Sequence, residues 1–160
     1  MKKEGKVRFI GSSSILPSLA DHVEMGVFDA FQIPYSALNR EHEEWITKAS
    51  VAGAGTIIRG GVSKGTSVGV GNQVNLSEEW KSFRKANLGD LLDEEESPTA
   101  FVLRFTLSHP NLNTTIVGTK NPEHFKENIR AADKGILSQE IYDEAKKRLV
   151  NIGIQSVSTS

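Results

Sequence analysis

The segment that decides the fold is Phe28-Asp29-Ala30-Phe31-Gln32-Ile33, a short and mostly apolar run that ends at Pro34. It is rich in aromatic and β-branched residues and ends at a turn-forming residue, which is typical of a strand covered on both faces. Three further runs have the same character: Val7–Ile10, Thr56–Ile58 and Thr114–Val117. Four such runs predict a parallel sheet in an α/β fold.

Segments with helical periodicity lie between and after these runs. Capping residues mark some of their starts, as in Ser97-Pro98 and Asn121-Pro122, where a side-chain cap precedes a proline at the first helical position. The predicted helices are Ile15–Glu24, Ser36–Ala52, Ala100–Leu107, one that follows Asn121-Pro122 and one that follows Ser138. The order β-α-β-α-β-loop-α-β-α-α predicts four parallel strands with right-handed crossover helices.

Residues 60–96 interrupt this alternation. The segment contains several glycines and ends in the acidic run Asp90–Glu96. Connections of this length are usually functional or disordered, so we expect an irregular loop. The acidic run has a simple structural explanation, because carboxylates just before a helix interact favourably with its dipole.

Composition limits the function classes. The 160 residues are 38% apolar, which is enough for one soluble domain with its own core over residues 1–153, followed by a disordered tail over 154–160. Lys and Arg number 19 against 20 Asp and Glu, so we expect no nucleic-acid partner. The absence of cysteine excludes disulfides and cysteine-ligated metals. Because no stretch resembles a signal peptide or a membrane span, we expect a cytoplasmic protein that binds no membrane.

Polar residues follow every predicted strand. They are Gly11–Ser14 after the first, Gln32 at the end of the second, Arg59–Gly65 after the third and Gly118–Asn121 after the fourth. In a parallel sheet the carboxyl ends of the strands emerge on one side, which is where such folds bind ligands. We therefore expect these polar groups to share one site.

Two features indicate what this site binds. The Gln32 carboxamide, between Phe31 and Ile33, must satisfy its donors and acceptor in a largely buried place, with either a ligand amide or a neighbouring backbone group. Thr119 and Lys120 precede a helix N-terminus, a favourable place for phosphate, and three further basic residues could reach the same region: Arg59, Lys64 and His124. Taken singly, each basic residue also has an ordinary surface or structural explanation.

Three motifs in the same order resemble the aldo/keto reductase family. Gly5-Lys6-Val7-Arg8-Phe9-Ile10-Gly11-Ser12-Ser13-Ser14 is similar to the family's GKVRxIGxSN strand, and Phe31-Gln32-Ile33-Pro34-Tyr35-Ser36 to its QxxYN strand end. Val117-Gly118-Thr119, followed by the segment Glu123–Asn128, resembles its VGTxxxEHxxEN signature. The resemblance covers the chain from about Lys2 to Val150.

This resemblance implies a TIM (β/α)8 barrel that binds NADPH and reduces aldehydes or ketones. It also implies that the chain corresponds to strands five to eight, half of such a barrel. The family's catalytic Asp, Tyr, Lys and His come from the first four strands, and no position here matches them. Tyr35 and Tyr142 lie in other segments and are not expected to act as the proton donor.

The resemblance also implies which residues hold the coenzyme. At the nicotinamide end they are Ser13, Ser14 and Gln32 for the carboxamide, with Ser14 in place of the usual Asn, and Arg59 beside the ring. Those of the pyrophosphate loop are Gly61, Ser63, Lys64 and Gly65. At the adenosine end they are Gly118, Thr119, Lys120 and His124 for the 2′-phosphate, with Glu127 and Asn128 for the adenine.

Three functions remain open at this stage. The chain could be the coenzyme-binding half of a reductase that needs the other half from elsewhere, inactive alone because an acid must protonate the alkoxide formed on reduction. It could instead be a non-catalytic dinucleotide-binding or oligomerisation module, because a half-barrel has two open sheet edges. Both predict a complementary half-barrel chain or a homodimer as partner. A different phosphate-binding enzyme is the least favoured, since Asp21, His22 and Asp29 lie away from the predicted site.

Overall fold

The computed structural model describes residues 1–63 and 78–157. Its centre is a single sheet of four strands, all parallel and arranged in chain order: β1 Gly11–Ser13, β2 Ala30–Pro34, β3 Gly55–Arg59 and β4 Thr114–Ile116. Along the chain, at least one helix follows each strand. The predicted parallel α/β architecture is confirmed.

Six α-helices are found in the described part of the chain: α1 Ser18–Glu24, α2 Glu43–Val51, α3 Glu78–Lys85, α4 Pro98–Leu107, α5 Pro122–Lys134 and α6 Gln139–Asn151. The starts of the last three are confirmed as predicted. The side chains of Ser97, Asn121 and Ser138 each accept a hydrogen bond from a backbone N–H in the first turn. Gly135 ends α5 with a φ of 86°, a conformation that favours glycine.

The first strand begins later than predicted. The predicted run Val7–Ile10 precedes the strand, and its Phe9 is 69% exposed. The reason is pairing, since Gly11 is the first residue to lie opposite β2, at Ala30. Just before that point, Asp29 N donates to Ile10 O at 2.8 Å, and Ile10 N donates to the Asp29 carboxylate at 2.9 Å.

The second helix also begins later than predicted. Ser36 and Asn39 exchange two backbone hydrogen bonds of 3.0 and 3.2 Å, which close a tight turn where the sequence predicted helix. The Ser36 hydroxyl strengthens this turn by accepting from Leu38 N at 3.2 Å. A serine side chain that bonds to nearby backbone competes with helix formation, so α2 begins only at Glu43.

The segment 60–96 is not irregular throughout. It contains α3, whose Trp80 and Phe83 are buried in the core, and a 3₁₀ helix over Leu88–Leu91. The apolar residues of α3 recur at helical spacing, but there are only a few of them. The glycines elsewhere in the segment therefore favoured the prediction of a loop. Residues 64–77 lie outside the described residues.

The two faces of the sheet have different environments. Phe31, Ile33 and Ile58 point to the helix side and are at most 2% exposed. Their neighbours along each strand are more accessible, because successive side chains of a strand alternate between faces. We call this second side the open face. The register places one row across it from strand to strand: Ser13, Gln32, Ile57 and Thr114.

A buried ion network ties the chain's last helix to the β2–α2 loop. Arg40 Nη2 lies 2.7 Å from the Glu43 carboxylate, whose other oxygen lies 2.7 Å from Lys146 Nζ. Burial opposes ionisation of Glu43, yet these two cations keep the pKa of its carboxyl below the usual value. Arg40 also donates to Ile154 O at 3.2 Å, and Val157 N donates to the backbone of the same loop. Residues 154–157 of the predicted tail therefore make contacts, and 158–160 lie outside the described residues.

The acidic run that precedes α4 is held by one buried arginine. Arg104 Nη1 donates to Glu96 at 2.7 Å and to Asp93 at 2.9 Å. The same guanidinium donates to Gly135 O at 2.8 Å and to Ile136 O at 3.2 Å, beyond the end of α5. Arg104 thus joins three segments.

In the described part of the chain, no helix has the length and apolar character to cross a bilayer.

We predict that Arg104→Met lowers the free energy of unfolding by about 3 kcal/mol, because it leaves the buried Glu96 carboxylate without its principal partner. Urea unfolding followed by far-UV circular dichroism measures the change. Arg84→Met, which removes an exposed arginine from α3, is the matched control and should cost little. Equal losses for the two variants would contradict the assignment.

Candidate functional site

The open face carries a pre-oriented carboxamide. Ser13 Oγ donates to Gln32 Oε1 at 3.0 Å, a contact that follows from the register, because these residues lie opposite each other on β1 and β2. The Gln32 amide nitrogen makes no hydrogen bond with another described residue. Two N–H donors therefore remain available on the open face, next to a serine hydroxyl. Gln32 is only partly exposed, which agrees with the largely buried place that the sequence predicted.

Ser14 points elsewhere. Its hydroxyl lies 3.1 Å from Ser12 Oγ and 3.3 Å from His22 Nδ1, and Ser12 Oγ is itself 2.8 Å from the same nitrogen. This cluster connects β1 to α1 and is separate from the Ser13–Gln32 pair. Sequence analysis missed it because the histidine lies on a helix, ten residues beyond Ser12.

Arg59 ends β3 in register with Pro34 on β2 and Ile116 on β4. Its Nε is buried and has no hydrogen-bond partner. Beside it lies a cavity of about 330 Å³ between the β2–α2 loop and the end of β3, which we call the β3 cavity. Its lining includes Arg59, Tyr35, Ser36, His42, Ser63 and Glu79.

A second cavity, of about 300 Å³, lies at the end of β4, and we call it the β4 cavity. Four segments form it: Val62 after β3, the start of α4 with its cap, the end of β4 with the loop after it, and the first turns of α5. Its lining includes Ser97, Pro98, Thr99, Gly118, Thr119, His124, Glu127 and Asn128. The lining contains one carboxylate, Glu127, and no lysine or arginine.

Glu127 is fixed in this cavity by a short hydrogen bond from Ser97 Oγ. The same hydroxyl accepts from Ala100 N at 3.1 Å, so it caps α4 and orients the carboxylate at once. A side chain of α5 is thereby positioned by the start of α4. The sequence marks Ser97 as a cap, but nothing in its spacing shows the contact with a residue 30 positions away.

The N-terminus of α5 offers fewer free donors than the sequence predicted. Pro122 has no N–H, and the N–H of Glu123 donates to Asn121 Oδ1 at 2.9 Å. The Thr119 hydroxyl accepts from Asn121 N at 3.1 Å. The first two helical positions are therefore already occupied. Lys120 is exposed beside the β4 cavity but is not part of its lining.

The comparisons with known proteins show a family and agree with the fold. The model of the aldo/keto reductase family matches residues 1–149. The chain belongs to the aldo/keto reductase family. It is 26% identical over 151 residues to the uncharacterized oxidoreductase YqkF of Bacillus subtilis (strain 168), a match that covers 88% of this chain and 49% of that protein.

Solved aldo-keto reductases share the fold. The holo form of AKR11C1 from Bacillus halodurans superposes with a TM-score of 0.73 at 24% identity, over 92% of this chain and 52% of that one. The glycerol dehydrogenase AKR11B4 from Gluconobacter oxydans gives a TM-score of 0.68 at 17% identity, over 99% and 54%. The chain thus spans about half the length of these relatives. Its four parallel strands and crossover helices match about half of their barrel fold.

The structure groups the residues that the family resemblance implied. One group lies at the carboxyl end of β1 to β3 and includes Ser13, Gln32 and Arg59. The other lines the β4 cavity and consists of Gly118, Thr119, His124, Glu127 and Asn128. Sequence reasoning missed Ile57 and Thr114, which complete the open-face row, and Thr99 of the β4 cavity. Lys64 and Gly65 lie outside the described residues.

Two residues of the loop after β3, which the resemblance assigned to the pyrophosphate, are buried. Ser63 Oγ lies 2.6 Å from Ser36 Oγ, and the Ser63 carbonyl accepts from Trp80 Nε1 at 3.3 Å. Gly61 O accepts from Thr106 Oγ1 at 2.8 Å. This loop is therefore anchored to α3, α4 and the β2–α2 loop at its beginning, and it separates the β3 cavity from the β4 cavity.

The two tyrosines are unsuited to proton donation at ordinary pH. Tyr35 and Tyr142 are buried, and their hydroxyls lie 3.3 Å apart. Burial raises the pKa of Tyr35 well above its usual value and that of Tyr142 to about 12. A phenol that serves as the acid in catalysis needs a pKa closer to the working pH and access to substrate.

We predict that Gly61→Ala lowers the free energy of unfolding by about 1–3 kcal/mol, the usual cost of overpacking. A Cβ at this position would lie 2.7 Å from Thr115 Oγ1 and 3.2 Å from Thr106 Cγ2, both held by hydrogen bonds of their own. Urea unfolding measures the loss. Gly118→Ala is the control, because a Cβ there meets nothing within 4 Å. The account fails if both variants unfold at the same urea concentration.

Proposed function

We propose that this chain is the C-terminal, coenzyme-binding half of an aldo/keto reductase barrel. It binds NADPH along the carboxyl ends of β1 to β4 and does not reduce a carbonyl compound by itself. The observation that carries the proposal is the Ser13–Gln32 pair on the open face, where neither amide N–H of Gln32 has an acceptor among the described residues.

The nicotinamide end fits this pair. A primary carboxamide has one acceptor and two donors, and it pairs well with a glutamine amide beside a hydroxyl. Gln32 would donate to the carboxamide oxygen, and Ser13 Oγ would accept from its nitrogen. Arg59 lies on the neighbouring strand β3, in register with Pro34, and would flank the nicotinamide ring. Ser14 has no part in this arrangement, because its hydroxyl contacts Ser12 and His22.

The adenosine end fits the β4 cavity. Thr119 and His124 line it with polar groups, and the exposed Lys120 beside it supplies the positive charge that a 2′-phosphate requires. Asn128 and the fixed carboxylate of Glu127 offer an acceptor and donors to the edge of an adenine. The loop that begins at Gly60 lies between the two ends, which suits the pyrophosphate.

Reduction of a carbonyl needs more than this site. NADPH supplies a hydride when it is bound, and the oxygen that gains negative charge must then be protonated by a positioned acid. Tyr35 and Tyr142 are buried against each other with raised pKa values, so neither serves as this acid. The acid must come from another polypeptide segment.

A second candidate function, an oligomerisation or non-catalytic dinucleotide-binding module, is favoured by the sheet edges. Within the described residues, β1 and β4 each pair with a strand on one side only. Unpaired strand edges favour association with further strands. We expect a complementary half-barrel chain or a second copy of this chain to close the barrel. The cytoplasmic location remains a prediction from the sequence.

We predict that the chain binds NADPH, measured as enhanced or blue-shifted NADPH fluorescence, and that Gln32→Ala weakens binding by about tenfold or more. Gln155→Ala, which changes an exposed glutamine that is not among the proposed coenzyme residues, is the matched control. Incubation with 4-nitrobenzaldehyde should produce no NADPH oxidation above background. Failure of the wild type to bind NADPH would contradict the proposal and favour an oligomerisation module that binds no dinucleotide. Aldehyde reduction that is lost in Gln32→Ala would contradict the absence of a proton donor.

A further inference from the structure

The β3 cavity contains a buried histidine whose second ring nitrogen has no partner. His42 is 3% exposed, and its Nε2 accepts a hydrogen bond from Leu16 N at 3.2 Å. Burial lowers the pKa of its imidazole, so the ring is neutral at ordinary pH. A neutral ring that accepts at Nε2 carries its proton at Nδ1. This Nδ1–H is buried and has no acceptor, and it belongs to a residue that lines the cavity.

Arg59 also lines this cavity and also has a buried donor without a partner. Its Nε is buried without a hydrogen-bond partner, and within the described part of the chain its guanidinium makes no ion pair. A buried donor without an acceptor costs about 1–3 kcal/mol, so two at one cavity require an explanation. A ligand with acceptor oxygens supplies one, and a guanidinium prefers a carboxylate or a phosphate.

The remaining walls select between these anions. Glu41 and Glu79 line the cavity as carboxylates, which repel a dianion such as phosphate and accept hydrogen bonds from hydroxyl groups. The hydrogen-bonded hydroxyls of Ser36 and Ser63 form a further polar wall. The cavity thus offers one cation that makes no ion pair with a described residue, one buried neutral donor and several acceptors. A volume of about 330 Å³ suits a small molecule.

We infer that the β3 cavity binds a small hydroxylated monocarboxylate. Its carboxylate accepts from Arg59 and from His42 Nδ1, and its hydroxyl groups donate to Glu41 and Glu79. The ligand lies beside the coenzyme residues proposed above and shares Arg59 and Ser63 with them. The ligand does not contact the Ser13–Gln32 pair. The inference therefore does not depend on whether the chain binds NADPH.

Isothermal titration with gluconate tests the inference on the full chain without coenzyme. Sorbitol, which keeps the hydroxyl groups and lacks the carboxylate, and inorganic phosphate are the comparison ligands. We expect gluconate to bind, and we expect neither sorbitol nor phosphate to displace it. Arg59→Gln and His42→Gln should each weaken gluconate binding by about tenfold. Glutamine at position 42 keeps an acceptor for Leu16 N while removing the Nδ1 donor.

Arg130→Gln is the matched control, because it removes the same charge from an exposed position on α5. Circular dichroism establishes that each variant is folded, and Arg59→Gln provides the test if His42→Gln does not fold. The inference is wrong if gluconate does not bind at millimolar concentration, which would leave water as the occupant. It is also wrong if sorbitol or phosphate binds as well as gluconate, or if Arg130→Gln weakens binding as much as Arg59→Gln.

Discussion

The parallel register of β1 to β4 is the constraint on which the site depends. Because side chains alternate along a strand, burying Phe31 and Ile58 under the helices places Gln32 and Ile57 on the open face. A slip of one residue would exchange the two sets. The hydrophobic side of the sheet therefore fixes the position of the polar side, and the Ser13–Gln32 contact is a consequence of core packing.

The same constraint explains why the site has two separated ends. Strands β1 to β3 carry the open-face carboxamide and Arg59, whereas the β4 cavity depends on α4 and α5. The Ser97 hydroxyl connects that cavity to the helix scaffold by capping α4 and holding Glu127. Gly61, near the start of the loop after β3, is anchored through Thr106 on α4. A dinucleotide, which is long and polar at both ends, suits this arrangement better than a compact ligand.

Local sequence patterns predicted the elements whose determinants are local. Ser97, Asn121 and Ser138 cap helices where the sequence places them, because a cap needs only a few consecutive residues. The position of β1 was wrong, since it depends on where β2 begins, and apolar character alone does not show this. The start of α2 was wrong because the Ser36 hydroxyl stabilises a turn instead.

The sequence predicted those residues of the candidate site that lie at or near the ends of strands. Gln32 and Thr119 were found because polar residues at strand ends are conspicuous in the sequence. Contacts between distant parts of the chain could not be predicted in this way. The hydrogen bond between Ser97 and Glu127 is an example, because these residues are far apart in the sequence. The unpaired nitrogen of His42 was equally hidden, since only packing shows which ring atom lacks a partner.

The most direct measurement is the side-chain amide spectrum of ¹⁵N-labelled protein during titration with NADPH. The Gln32 pair is identified by its loss in Gln32→Ala. The account predicts that this pair shifts as coenzyme is added, because its free N–H groups acquire an acceptor, while the Gln155 pair stays in place. A Gln32 pair that does not move at saturating NADPH, with shifts confined to other amides, would contradict the central claim.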